Sequence, residues 1–197
     1  MEKKPVISNC RVMLIGGSAG SLEVLMKILP RLPKIHSYAI VIVLHRKSGE
    51  DMTLEELIAV KTITPVREVE DKIPLQPGFI YIAPSDYHLL FEKSNVLSLD
   101  ASEKINYSRP SIDVAFESAA EAYGKYVSAI LLSGANADGT EGLKAIKNGG
   151  GTIIVQKPET AEMPFMPVNA IENMSPDGIC DAEEMLELLS GIDIFNL

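Results

Sequence analysis

The chain has 197 residues, enough for one domain with a buried core, and its 46% apolar and 23% charged residues, with 14 Gly and 12 Pro, exclude a disordered, collagen-like or repetitive polypeptide. A formal net charge of −9 repels polyphosphate, so no nucleic acid partner is expected. Cys10 and Cys180 are too few for a disulfide framework, and His36, His45 and His88 fall in no ligand-type pair, so no metal is expected. No apolar run approaches the length of a membrane span and the N-terminus has no signal-peptide pattern, which predicts a cytoplasmic protein without membrane insertion.

Short, almost wholly apolar runs at 11–15, 38–44, 79–83, 127–132 and 152–155 read as strands covered on both faces. Between the first two, Leu22, Leu25, Met26 and Leu29 repeat at helical spacing, and Pro30 marks the stop. Segment 74–78 is a turn, and 88–91 with 96–99 reads as an antiparallel hairpin. Ser111 is a candidate N-cap for a helix carrying Ile112, Ala115, Phe116, Ala119 and Tyr123, which Gly124 ends. A third helix is expected to start near Asp138 and to turn Leu143 and Ile146 inward. Three prolines make 157–167 read as an irregular excursion, and a last helix is expected from Asp181, boxed by Glu184, burying Met185, Leu188 and Leu189. The alternation predicts an α/β fold: a three-layer, doubly wound, mainly parallel sheet with helices on both faces and an antiparallel hairpin, forming one domain over residues 1–197.

In such a sheet ligands bind beyond the C-terminal strand ends, so the residues just after each strand are the ones to inspect. Gly16-Gly17-Ser18-Ala19-Gly20 fits GxSxG, in which small neighbours let a serine stand on a sharp strand-to-helix turn; Ser18 is either a nucleophile there or an N-cap. His45 ends the second strand and is either a base for Ser18 or a polar strand-end residue. Asp138, after the fourth of these runs, lies in Leu132-Ser-Gly-Ala-Asn-Ala-Asp-Gly139 and either orients the imidazole or forms a capping box with Glu141. All three fall on one edge of the expected sheet. Their order, Ser, His, Asp, differs from that of α/β-hydrolases, chymotrypsin and subtilisin.

These residues, with Tyr81-Ile-Ala-Pro84, Asp86, His88, Ser108-Arg-Pro-Ser-Ile-Asp113 and Gly149-Gly-Gly-Thr152, closely resemble the catalytic domain of the CheB chemotaxis receptor methylesterases from Val12 to about Glu187. The resemblance implies Ser18 as nucleophile, His45 as base, Asp138 as its orienter, and the backbone N–H groups of Ala19 and Ala135 as an oxyanion hole. It further implies hydrolysis of glutamate γ-methyl esters on cytoplasmic helices of methyl-accepting receptors, with glutamine deamidation, and no cofactor. Ala19, Leu44 and Ala137 depart from residues common in the family. Arg46, Lys47 and Arg109 are candidates for a positive rim facing an acidic receptor helix. With about ten residues before the first strand, no receiver domain is expected, and the activity would be constitutive, controlled in trans by a separate receiver protein, or released from a larger assembly. Two other readings compete: a non-catalytic signalling scaffold and a general small-ester hydrolase. An open crevice rimmed by charge favours a protein substrate, a deep apolar pocket a small one.

Overall fold

The computed structural model describes residues 7, 9–46 and 54–195. In chain order the elements are β1 (Val12–Gly17), α1 (Ser21–Ile28), β2 (Ala39–Leu44), α2 (Leu54–Ala59), β3 (Val66–Glu68), β4 (Ile73–Pro74), β5 (Ile80–Ile82), β6 (His88–Glu92), β7 (Val96–Asp100), α3 (Ile112–Tyr123), β8 (Val127–Leu131), α4 (Thr140–Asn148), β9 (Thr152–Gln156), α5 (Phe165–Asn173), β10 (Gly178–Cys180) and α6 (Ala182–Phe195). Seven strands form a parallel sheet in the order β10-β9-β8-β1-β2-β5-β3, and β4, β7 and β6 form a small antiparallel sheet. From β1 the chain passes to β2, then to β3 at the margin and back to β5 between them, before it returns to β8 and winds outward on the other side through β9 to β10. The order therefore reverses beside β1, where a doubly wound sheet opens its crevice.

The continuously apolar strands are buried on both faces, as expected. Met13, Ile15, Ile40, Ile42, Ile130 and Ile154 pack beneath α1, α2 and α6. Their alternate neighbours, among them Val12, Leu14, Val41, Val43, Ala129 and Ile153, meet α3, α4, α5 and the hairpin residues Leu89, Phe91 and Leu97. Period-two alternation thus divides one apolar run between two cores. Among the described residues, no helix is long and apolar enough to cross a membrane.

Local signals behaved unevenly. Ser111 caps α3 by accepting the Val114 N–H, and the Asp181–Glu184 box closes reciprocally at 3.0 Å in both directions. The box between Asp138 and Glu141 does not form. α4 starts at Thr140 behind Gly139, without a cap from its own side chains. Segment 157–167 is irregular only to Pro164: α5 begins at Phe165, and Pro167 lies in its first turn, where a missing N–H costs nothing.

Candidate active site

β1 and β2 pair in parallel with Gly17 beside Leu44, so the next residues, Ser18 and His45, leave adjacent strand ends together. His45 is fixed there by its own N–H on the Gly17 carbonyl at 3.0 Å. The Ser18 turn is pinned from below. Its N–H points at the Ser133 carbonyl (2.8 Å) and the Ser21 hydroxyl (2.9 Å), and Ser21 in turn donates to that same carbonyl at 2.7 Å. Gly20, not Ser18, is the N-cap residue of α1. Among the described residues Ser18 Oγ makes no hydrogen bond, and it lines a cleft of about 880 Å³ with Ala19, His45, Asp86, Tyr107 and Ser108.

Asp138 comes to His45 from the turn after β8. Its Oδ2 lies 2.7 Å from His45 Nε2, with the carboxylate wholly buried and the imidazole 11% exposed. An ionised carboxylate only accepts, so Nε2 carries the proton and Nδ1 is the basic nitrogen. Nδ1 faces Ser108 Oγ at 3.4 Å and Asn136 Nδ2 at 3.5 Å; no hydrogen bond joins it to Ser18. Burial would push Asp138 upward, yet the His45 contact and the N–H groups of Asp113 and Ile112 outweigh it and hold the carboxyl down at about 2. Asp138 therefore stays ionised. Its helix-capping role, read from sequence toward α4, is directed instead at α3, whose first N–H groups it accepts while holding His45.

Two peptide N–H groups beside Ser18 have no protein acceptor among the described residues. The Ser18 carbonyl accepts the Ser21 N–H, so the Ala19 N–H across that trans peptide points the opposite way. The Gly134 carbonyl accepts the Met166 N–H at 2.9 Å, which turns the Ala135 N–H away from α5. Gly134 leaves room for this approach: a Cβ there would lie 2.4 Å from Met166 Cε, the end of a flexible side chain that would have to shift, and 3.1 Å from Ser18 Cβ. Ser133 adds a brace, its hydroxyl donating to the Ala19 carbonyl at 2.7 Å.

Of the expected positive rim, Arg46 is paired with Glu68, and Arg109 donates to the Ala101 and Ser102 carbonyls, holding a loop. Lys47 lies outside the described residues. Arg46, Asp86, Lys104 and Arg109 still line the cleft, beside Leu22, Leu44 and Leu54, so its wall is mixed. Sequence reasoning assigned nothing to Ser21, Ser133, Asn136, Ser108 or Asp113. Asn136 alone carried a local signal: an Asn two residues before Asp138 closes an Asx turn onto its N–H at 3.2 Å.

Among the described residues no cluster of His, Cys, Asp and Glu is arranged to hold a metal ion. What the arrangement offers is a hydroxyl on a tight turn, a neighbouring imidazole backed by a buried carboxylate, and two outward N–H groups. That is the equipment of acyl transfer.

Comparison with known proteins agrees with this chemistry. The sequence profile of the family described as CheB methylesterase matches residues 13–189. A Leptospira interrogans protein provisionally named protein-glutamate methylesterase/protein-glutamine glutaminase is 43% identical over 193 residues, covering 96% of this chain and 98% of that one. A Thermotoga maritima protein-glutamate methylesterase/protein-glutamine glutaminase is 36% identical over 94% of this chain, which spans 56% of that relative's length. The crystal structure of the Thermotoga maritima CheB methylesterase catalytic domain superposes with a TM-score of 0.87 at 36% identity, covering 92% of this chain and 97% of the other. The chain belongs to the CheB methylesterase family.

Proposed function

We propose that this protein is a serine hydrolase that removes methyl groups from glutamate side chains on the cytoplasmic helices of methyl-accepting receptors. The observation that carries it is the buried 2.7 Å contact between Asp138 and His45 at the strand end next to Ser18. Support also comes from the family membership and from the names of the relatives.

In this reading Ser18 Oγ attacks the ester carbonyl while His45 Nδ1 takes its proton, and Asp138 stabilises the imidazolium through Nε2. The oxyanion is met by the Ala19 and Ala135 N–H groups, and any residue but proline at position 19 supplies that donor. Nδ1 returns the proton to the leaving methoxide, releasing methanol. Water, deprotonated by Nδ1, then attacks the acyl-enzyme to give glutamate and restore the serine hydroxyl. A glutamine side chain gives the same acyl-enzyme with ammonia as leaving group. The charged groups in the cleft wall favour a protein helix over a small apolar ester.

The test is a serine-directed phosphonate followed by methanol release from methylated receptor. Stoichiometric labelling of Ser18, lost in His45→Ala, is expected. Ser18→Ala and His45→Ala should each lower kcat by on the order of 10⁴-fold or more, and Asp138→Asn by somewhat less. A wild-type protein that neither labels nor releases methanol would leave the scaffold reading standing; labelling without methanol release would leave the small-ester reading.

A further inference from the structure

Behind the candidate site two helices meet start to start, and each is capped by a carboxylate belonging to the other's approach. Asp138, two residues before α4, accepts the first N–H groups of α3: Ile112 on Oδ2 at 2.7 Å and Asp113 on Oδ1 at 3.0 Å, with the Ser111 hydroxyl on Oδ1 at 2.9 Å. Asp113, in the first turn of α3, returns the service. Its Oδ1 accepts the N–H of Gly139 at 2.9 Å and of Gly142 at 2.8 Å, the two donors that α4 leaves without a side-chain cap of its own. The Gly139 N–H also lies 3.2 Å from Asp138 Oδ1, so it bridges the two acids. Gly142 makes the crossing close: a Cβ there would lie 2.5 Å from Phe116 Cβ and 3.1 Å from Asp113 Cα.

Resting on the hydrolase reading, we propose that Asp113 is a positioning residue of the reaction: its clamp on Gly139 and Gly142 fixes the turn that carries Asp138 and so keeps Asp138 Oδ2 on His45 Nε2. Without the clamp, the Asp138 turn would keep its bonds to α3 and its Asx turn but lose the tie from α3 to the start of α4, and the imidazole would be held less firmly. The clamp has two protonation states. Burial, against the pull of the Gly142 N–H, raises the Asp113 carboxyl to about 7, and the Asp138 charge pushes the same way. The other titratable groups on packed elements are His45 beyond Asp138, His88 and Glu92 of β6, and Glu141 and Lys144 of α4, the last two of which pair with each other. Protonated, Asp113 shares its hydrogen with Asp138; ionised, it repels it. An inflection in reactivity near neutral pH follows.

The experiment measures the rate of Ser18 inactivation by the phosphonate, and of methyl-ester hydrolysis, between about pH 5 and 9. Asp113→Ala is expected to react at least about tenfold more slowly, with KM little changed, while still labelling to completion at Ser18. Asp113→Asn keeps an oxygen for both N–H groups and places an N–H toward Asp138. It is expected within about threefold of wild type at pH 6 and to lose the Asp113 ionisation from its profile, leaving that of the His45 base. Wild-type rates in Asp113→Ala, or an Asp113→Asn profile of the same shape as wild type, would overturn the proposal; if Asp113→Ala does not fold, the comparison of the Asp113→Asn and wild-type profiles decides alone. Wild-type protein that fails to label at Ser18 removes the hydrolase reading, and this inference with it, before any variant is compared.

Discussion

At the scale of single residues, His45 faces two hydroxyls. Ser108 Oγ is within 3.4 Å of Nδ1, whereas Ser18 makes no such contact, yet only Ser18 stands on the glycine-flanked turn between outward N–H groups. Ser108→Ala is therefore expected to keep phosphonate labelling and to lose less than about tenfold in kcat, as mass spectrometry of the labelled peptide and steady-state rates would show. The two buried acids act oppositely on stability. Asp113 is raised from 3.8 to about 7, so its contribution is full below about pH 4 and is lost as the pH rises to 7; Asp138, lowered to about 2, contributes above 3.8 and loses this as the pH falls toward 2. Urea midpoints should consequently show Asp113→Asn gaining on wild type between pH 5 and pH 8. Ser18, His45 and Asp138 were legible in the sequence because each lies in the connection that follows an apolar strand run, so topology brings them to one edge. Asp113 was not: nothing within its own helix distinguishes it from a solvated first-turn acid, and its partners are 26 and 29 residues away.

Among elements, the central strands announced themselves because burial on both faces demands uninterrupted apolar residues. β3 and β10 are three residues long with exposed positions, and such edge pieces leave no periodic trace. α5 was obscured by prolines that its first turn accommodates. The α3–α4 crossing was equally silent, since a glycine in a helix says nothing of what lies against it. Here Gly142→Ala sets a gain in helix propensity against a clash with Phe116 and the Asp113 backbone. The clash involves backbone that cannot rotate away, so a net loss of about 1–3 kcal/mol is expected in chemical denaturation.

For the whole molecule, the cleft is bordered by a tight turn in which Asn106 and Tyr107 both have positive φ, bridged from Ile105 to Ser108. This turn holds Tyr107 98% exposed at the rim. An aromatic side chain so placed has little to contribute to a small ester and much to a helix lying across the opening. Tyr107→Ala is expected to raise KM for methylated receptor several-fold while leaving hydrolysis of a p-nitrophenyl ester unchanged, a split that steady-state kinetics on the two substrates would reveal. Equal effects on both would argue against a receptor-facing role. The sheet order has one last consequence. The three candidate groups issue from β8, β1 and β2, the innermost triplet of seven strands, which fraying at either margin does not reach. Hydrolytic competence should thus survive partial opening of the periphery and vanish only with cooperative melting of the centre.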